Sequence, residues 1–273
     1  MTSITAAGIP ADARVGLSRV IRSEWIKFRS LRSSLIMLAA TVTVFAGLGL
    51  GFSAFLAGTT VEPGTSAPPG GPSSLDPLGA SLGGVNLAQL LIGTLGVLLI
   101  AGEYSTGMIR FSLTAVPRRW PVLVGKVAVL AAVTLAALVP TVLLTFLAGQ
   151  AVLGDKGISL ADDGVLRAVL GTAGYLAGVG VLGMALGFLL RNIAAALTTV
   201  VAILLIAPGV VSLLPDNWSD TIAPYLPSNA GQAFMNLGTD PGLLSPAVGA
   251  AVFGSWLVVL LAAAASQLQH REG

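Results

Sequence analysis

Few side chains in this sequence could do chemistry, and several of them lie in one polar stretch between two long apolar runs. Residues 102–110 read GEYSTGMIR, and residues 117–119 read PRR. The stretch holds one acid, Glu103, and three arginines, Arg110, Arg118 and Arg119. Charged side chains interleaved with apolar ones are suited to binding a protein groove or anionic headgroups.

The common catalytic and metal-binding patterns are absent from the sequence. There are no cysteines, so thiolate nucleophiles and cysteine metal sites are excluded, and the single histidine is His270 near the end. No H-E-x-x-H and no G-x-x-x-x-G-K-[ST] phosphate loop occurs, and Val124-Gly125-Lys126-Val127 fails the second pattern. We therefore predict that the chain is not an enzyme and binds no metal or cofactor itself.

The composition indicates a membrane protein. Apolar residues make up 55% of the chain, charged residues 10%, and the mean hydropathy is +0.89, whereas soluble domains carry about 25% charged residues. A helix needs roughly 20 apolar residues to cross a bilayer. We predict an all-α polytopic protein with six transmembrane helices at residues 34–57, 82–101, 127–153, 165–190, 193–214 and 245–266.

The cations are distributed asymmetrically between the two sides of these spans. With the N-terminus in the cytosol, twelve of the fourteen lysines and arginines are cytosolic, as the positive-inside rule requires. The prediction is a multi-pass protein of the cell membrane with both termini cytosolic. It comprises an N-terminal segment (1–33), a transmembrane domain (34–266) and a tail (267–273), with a cytosolic segment at 103–126 and an outer loop at 215–245. The net charge of +2 gives no indication of a nucleic-acid partner.

The residues before the first span predict an amphipathic helix. At about 100° per residue, apolar side chains between Leu17 and Leu31, including Trp25, share one side, and Arg22, Lys27 and Arg29 lie opposite. This pattern is typical of a helix in the membrane interface. Glu24 falls within the apolar face. It either snorkels towards water or pairs with Lys27 or Arg32 nearby, or it meets a cation on protein packed against that face.

No charged residue lies deep in a predicted span, which argues against coupling to an ion gradient. Weakly polar residues do occur there: Asn86, Gln89 and Tyr175. They either form hydrogen bonds between helices or line a substrate path near the outer end. Glycines of the fourth span, such as Gly183 and Gly187, predict close helix packing within the bundle.

Residues 106–116 have the length of about three helical turns, and Pro117 marks their end. Apolar residues predominate in 106–116, and the basic residues of the cytosolic segment are Arg110, Arg118, Arg119 and Lys126. The two interpretations are a short amphipathic helix that docks into a groove on a soluble partner, and a basic loop that lies on headgroups.

The chain resembles the permease subunits of type-2 ATP-binding-cassette (ABC) exporters. Three stretches carry the resemblance: RSEWIKFRS at 22–30, GEYSTGMIR with TAVPRR at 102–110 and 114–119, and YLPSNAG at 225–231. They stand in the expected order among the six spans, so that the resemblance covers nearly the whole chain. The abundance of alanine and glycine is similar to that of actinobacterial members.

The resemblance implies roles for these stretches. Residues 22–30 would be a connecting helix, with Arg22, Glu24, Trp25, Lys27 and Arg29. Residues 103–126 would be the coupling segment that seats on a separate ATPase subunit, with Glu103, Tyr104, Thr106, Gly107, Arg110, Pro117, Arg118 and Arg119. Glu103 and Arg110 would pair with each other or with the connecting helix. The outer loop would hold short re-entrant helices.

The implied assembly contains two permease chains, identical or paralogous, and ATPase subunits that bind ATP and Mg²⁺. The cargo would be a hydrophobic or amphipathic solute moved outward. Two other functions fit the same composition: an ATP-independent secondary carrier and a membrane scaffold that transports nothing.

Overall fold

The structure, a computed structural model, describes residues 17–59, 76–105, 107, 120–237 and 244–270. The described part is helical throughout its regular structure and contains no strand. Six helical stretches are long and apolar enough to cross a membrane. The prediction of an all-α polytopic protein is confirmed.

Eleven α-helices are present in the described part, in the following chain order: α1 Leu17–Ser30, α2 Arg32–Gly58, α3 Pro77–Leu82, α4 Val85–Ser105, α5 Trp120–Leu153, α6 Val165–Leu190, α7 Ile193–Val201, α8 Ala207–Val211, α9 Asp216–Ile222, α10 Pro227–Ala233 and α11 Pro246–His270. A π-helical turn, Ala202–Ile206, joins α7 to α8 within one span. Short 3₁₀ turns follow α5 and α9 at Gly154–Lys156 and Ala223–Tyr225.

The helices around the predicted cytosolic segment are longer than the sequence suggested. The second span continues to Ser105 rather than to residue 101, and the third begins at Trp120 rather than at residue 127. Lys126, predicted to lie in the cytosolic segment, lies within α5. A lysine can lie there because carboxylates surround its ammonium group. Pro121 is tolerated in the first turn, where its missing N–H has no helical partner.

The helix α6 forms the centre of the bundle, and glycines let it approach α4 closely. A Cβ atom added at Gly96 would collide with the carbonyl oxygen of Gly180, and one at Gly183 with the carbonyl oxygen of Gly93. Small residues at such contacts allow two helix backbones to pack directly. Gly178, Gly183 and Gly187 of the fourth span thus serve contacts within this chain, as predicted, whereas Gly174 has open space around it.

The predicted outer loop contains the short helices α9 and α10. The helix α10 is largely buried, and Gly231 lies against the ring of Tyr175. The indole N–H of Trp256 in α11 donates to the carbonyl of Tyr225 at 3.0 Å. Through these contacts the outer loop packs against both α6 and α11. That its helices re-enter the membrane stays a prediction.

Candidate functional site

The helix α1 lies against α5 along a narrow stripe. Val20, Glu24 and Phe28, spaced by four residues, are its buried side chains, because positions four apart share one face of a helix. Gly125 lets the two helices approach, since a Cβ atom there would lie 2.9 Å from Cγ1 of Val20. Trp25, on the predicted apolar face, is 48% exposed. The stripe of α1 that packs on protein is therefore narrower than the predicted apolar face.

Four charged side chains meet where α1, α4 and α5 come together, and we call them the ion cluster: Glu24, Lys27, Glu103 and Lys126. Lys126 Nζ lies 2.7 Å from Glu24 Oε2 and 2.6 Å from Glu103 Oε1. Lys27 Nζ lies 3.1 Å from Glu24 Oε1 and 3.5 Å from Glu103 Oε1. Each carboxylate thus contacts both lysines, and three helices are tied at one point.

Both alternatives for Glu24 are realised together, since it pairs with Lys27 nearby and with a cation of the packed helix. Glu103 pairs with Lys27 of α1, which is the pairing with the connecting helix that the resemblance implied. Arg110, the other suggested partner, lies outside the described residues.

The ion cluster is largely shielded from water. Lys126 is 5% exposed and Glu24 is 6% exposed. Desolvation by burial would lower the pKa of Lys27, but the nearby carboxylates of Glu103 and Glu24 raise this pKa above the ordinary lysine value. Two positive and two negative groups balance, so that no uncompensated charge is buried. Because a buried ion needs a well-matched partner, these contacts favour the observed packing of α1, α4 and α5 over arrangements that would separate the charges.

An aromatic contact adds α6 to this junction. The guanidinium carbon of Arg191 lies 5.1 Å from the centroid of the Tyr104 ring, which is cation–π geometry. Phe188 meets the same ring edge-on, with centroids 6.5 Å apart. Arg191 ends α6 in a left-handed conformation, with φ 51°. Sequence reasoning assigned Tyr104 to the coupling segment but missed Arg191 and Lys126 as site residues.

The remaining predicted coupling residues lie beyond the ends of the described helices. Gly107 has φ +72°, and its N–H donates to the carbonyl of Tyr104 at 3.2 Å. Glycine favours such a left-handed position directly after a helix. The predicted residues Thr106, Arg110, Pro117, Arg118 and Arg119 lie outside the described residues. On α1, Arg22 and Arg29 are exposed and stand apart from the ion cluster.

The predicted substrate-path residues lie towards the other end of α4. The hydroxyl of Tyr175 donates to Gln89 Oε1 at 2.5 Å, and both side chains are buried. This hydrogen bond joins α4 to α6, which is the first of the two alternatives predicted for Gln89 and Tyr175. Asn86 lines a separate cavity of about 30 Å³ beside Thr172 and Gln232, roughly the space of one water molecule. That any of them contacts a substrate stays a prediction.

Over the part of the chain that the structure describes, no group of three or more His, Cys, Asp or Glu side chains is placed to hold a metal ion. The ion cluster itself contains two carboxylates whose charge two ammonium groups already balance.

No protein-family model matches the chain, and no curated protein matches it significantly.

Proposed function

We propose that this chain is the permease subunit of an ABC exporter in the cell membrane. It moves a hydrophobic or amphipathic solute outward, using ATP that a separate ATPase subunit hydrolyses with Mg²⁺. The observation that carries the proposal is the ion cluster, which joins α1 to the facing ends of α4 and α5. Those two ends flank residues 106–119, the core of the predicted coupling segment.

The cluster supplies a route for force. A partner that moves residues 106–119 pulls on the last turn of α4 and the first turns of α5 together. Glu103 and Lys126 lie at these two positions, and both are bonded to side chains of α1 or to each other. Displacement of the segment would therefore move three helices as one body, and α4 would carry it to α6 through their direct glycine contact.

The interior of the spans supports an external energy source. Their central turns carry no lysine, arginine, aspartate or glutamate, while carriers driven by protons or ions normally keep such groups in the membrane. An apolar interior also suits a hydrophobic solute. A second permease chain would complete the pathway, and the solute would cross between the two copies.

The test begins with the neighbouring reading frames, one of which should encode an ABC ATPase subunit. The tagged chain is then purified with that subunit in mild detergent, and ATP hydrolysis is measured in nanodiscs. We expect a stable complex with vanadate-sensitive hydrolysis. Glu103→Gln should weaken assembly or lower hydrolysis several-fold, because it removes one carboxylate charge from the junction. Arg19→Gln, an exposed change on α1 outside the assigned site residues, serves as the matched control.

Unchanged assembly and hydrolysis in Glu103→Gln would contradict the coupling role. Solute transport by the chain alone in liposomes, driven by a proton or sodium gradient without ATP, would instead establish the secondary carrier.

A further inference from the structure

A cavity of about 340 Å³ opens where the corner between α1 and α2 faces α4. Its volume falls in the range of roughly 300–1,000 Å³ that is typical of small-ligand sites. Its lining divides into two chemically different halves. Polar groups from the α1–α2 corner form one half, and leucines of α4 form the other. We call it the corner cavity.

The polar half contains the first turn of α2. The first N–H groups of an α-helix lack partners within the helix, and Leu31 at the N-cap supplies no side-chain cap. The positive end of the helix dipole therefore faces this region. Ser33 and Ser34, both in this turn, line the corner cavity.

Ser34 gives a second and independent indication of a ligand. Its residue is only 4% exposed, and its hydroxyl has no hydrogen-bond partner among the residues that the structure describes. Serines elsewhere in the bundle, such as Ser53 and Ser81, do bond to neighbouring groups. Because Ser34 lines the cavity, its hydroxyl is placed to donate to a ligand oxygen there.

The balanced ion cluster and the additional cation Arg32 together leave a net positive charge beside the corner cavity, which favours an anion. Lys27 lines the cavity and its side chain is 30% exposed. Glu103 also lines the cavity, but two lysines contact its carboxylate. Arg32 opens α2 and is exposed at the same corner. The ligand group expected here is a phosphate, which helix N-termini and lysines commonly bind.

The apolar half decides between a free phosphate and a lipid. Leu95, Leu98 and Leu99 line it, and they occupy successive turns of an apolar span. An inorganic ion would leave these side chains facing water or an empty space. A phospholipid would cover them with its first acyl carbons while its phosphate meets α2.

We infer that the corner cavity binds an anionic phospholipid from the leaflet at the cation-rich end of the bundle. The phosphate accepts hydrogen bonds from Ser34 and the first turn of α2, and the acyl chain lies along the leucines of α4. This inference does not rest on the proposed transport function.

Binding can be measured by native mass spectrometry of the full, delipidated chain in detergent. The probes are phosphatidylglycerol, phosphatidylcholine and inorganic phosphate. The wild-type chain should bind phosphatidylglycerol about tenfold more tightly than phosphatidylcholine, or roughly 1.4 kcal/mol. Inorganic phosphate at the same concentration should displace neither lipid, because it cannot cover the leucines.

Ser33→Asp is the decisive variant. An acid in the first turn of a helix is compatible with its dipole, so that folding should persist, but the carboxylate repels a phosphate. The affinity for phosphatidylglycerol should fall about tenfold. Ser18→Asp, an exposed change in the first turn of α1 and away from the cavity lining, should leave it unaltered. Ser34→Leu should fill the cavity and weaken the binding of both lipids.

Three outcomes would overturn the inference. They are wild-type affinity for phosphatidylglycerol in Ser33→Asp, equal affinity of the wild-type chain for the two lipids, and displacement of the lipid by inorganic phosphate alone. Thermal unfolding of each variant reports whether it folds. If Ser34→Leu does not fold, Ser33→Asp still decides the question.

Discussion

Replacing Lys126 with methionine removes the centre of the ion cluster while nearly conserving the volume of the side chain. The ammonium group of Lys126 lies within 2.7 Å of two carboxylates. After its removal, Lys27 is the remaining lysine of the cluster, at 3.1 Å from Glu24 and 3.5 Å from Glu103. One cation, itself partly exposed, then faces two negative charges.

The expected loss follows from the burial of these groups. Removing one partner of a buried ion pair typically costs about 3–5 kcal/mol. Lys27 compensates in part, so we expect a loss of about 3 kcal/mol in the free energy of unfolding. At about 2–4 °C per kcal/mol for a chain of this size, the melting temperature should fall by about 6–12 °C.

The assay is thermal unfolding of the purified chain in one detergent, followed by intrinsic fluorescence. Arg29→Met removes an exposed cation from α1 and should change the stability by less than about 0.5 kcal/mol. In Glu103→Gln/Lys126→Met, one carboxylate is neutralised as well. This double variant should lose about 1 kcal/mol less than the sum of the single losses, because the two side chains are in contact. Equal melting temperatures for Lys126→Met and Arg29→Met would refute the argument that the cluster holds the three helices together.

Three further predictions concern other parts of the bundle. Tyr175→Phe breaks the buried hydrogen bond to α4 and should cost about 1 kcal/mol of unfolding free energy. Tyr225→Phe, at an exposed ring, should cost almost nothing, and equal effects of the two variants would contradict the role of that bond. Gly96→Ala places a methyl group against the α6 backbone and should cost about 3 kcal/mol of unfolding free energy or prevent folding. Gly47→Ala, at a glycine with open space around it, should be tolerated, and a normal melting temperature for Gly96→Ala would show that α4 and α6 are not in backbone contact. Because the chain has no cysteine, Ser112→Cys provides a single label site, and a membrane-impermeant maleimide should react with it only after the cells are permeabilised. Labelling in intact cells would reverse the predicted orientation.

Much of the architecture could be predicted from the sequence because it depends on local composition. A run of apolar residues long enough to cross a bilayer must satisfy its own backbone hydrogen bonds, and a helix does so within one segment. The six spans therefore follow from hydropathy. The periodicity of α1 follows in the same way from residues close together in the chain. The predicted ends of the spans were less accurate, as Lys126 shows, because a charged residue was taken to end a span and its buried partners were unknown.

Only the tertiary structure decided which distant residues meet. Glu24 and Lys126 are 102 positions apart, and nothing in the local pattern of either indicates the other. The bond between Gln89 and Tyr175 and the contact of Gly96 with Gly180 likewise depend on how α4 lies on α6. The corner cavity exists only because α1, α2 and α4 converge without filling the space between them. Membrane insertion is governed by the composition of each segment separately, whereas charge pairing and close packing are governed by the positions of several segments at once.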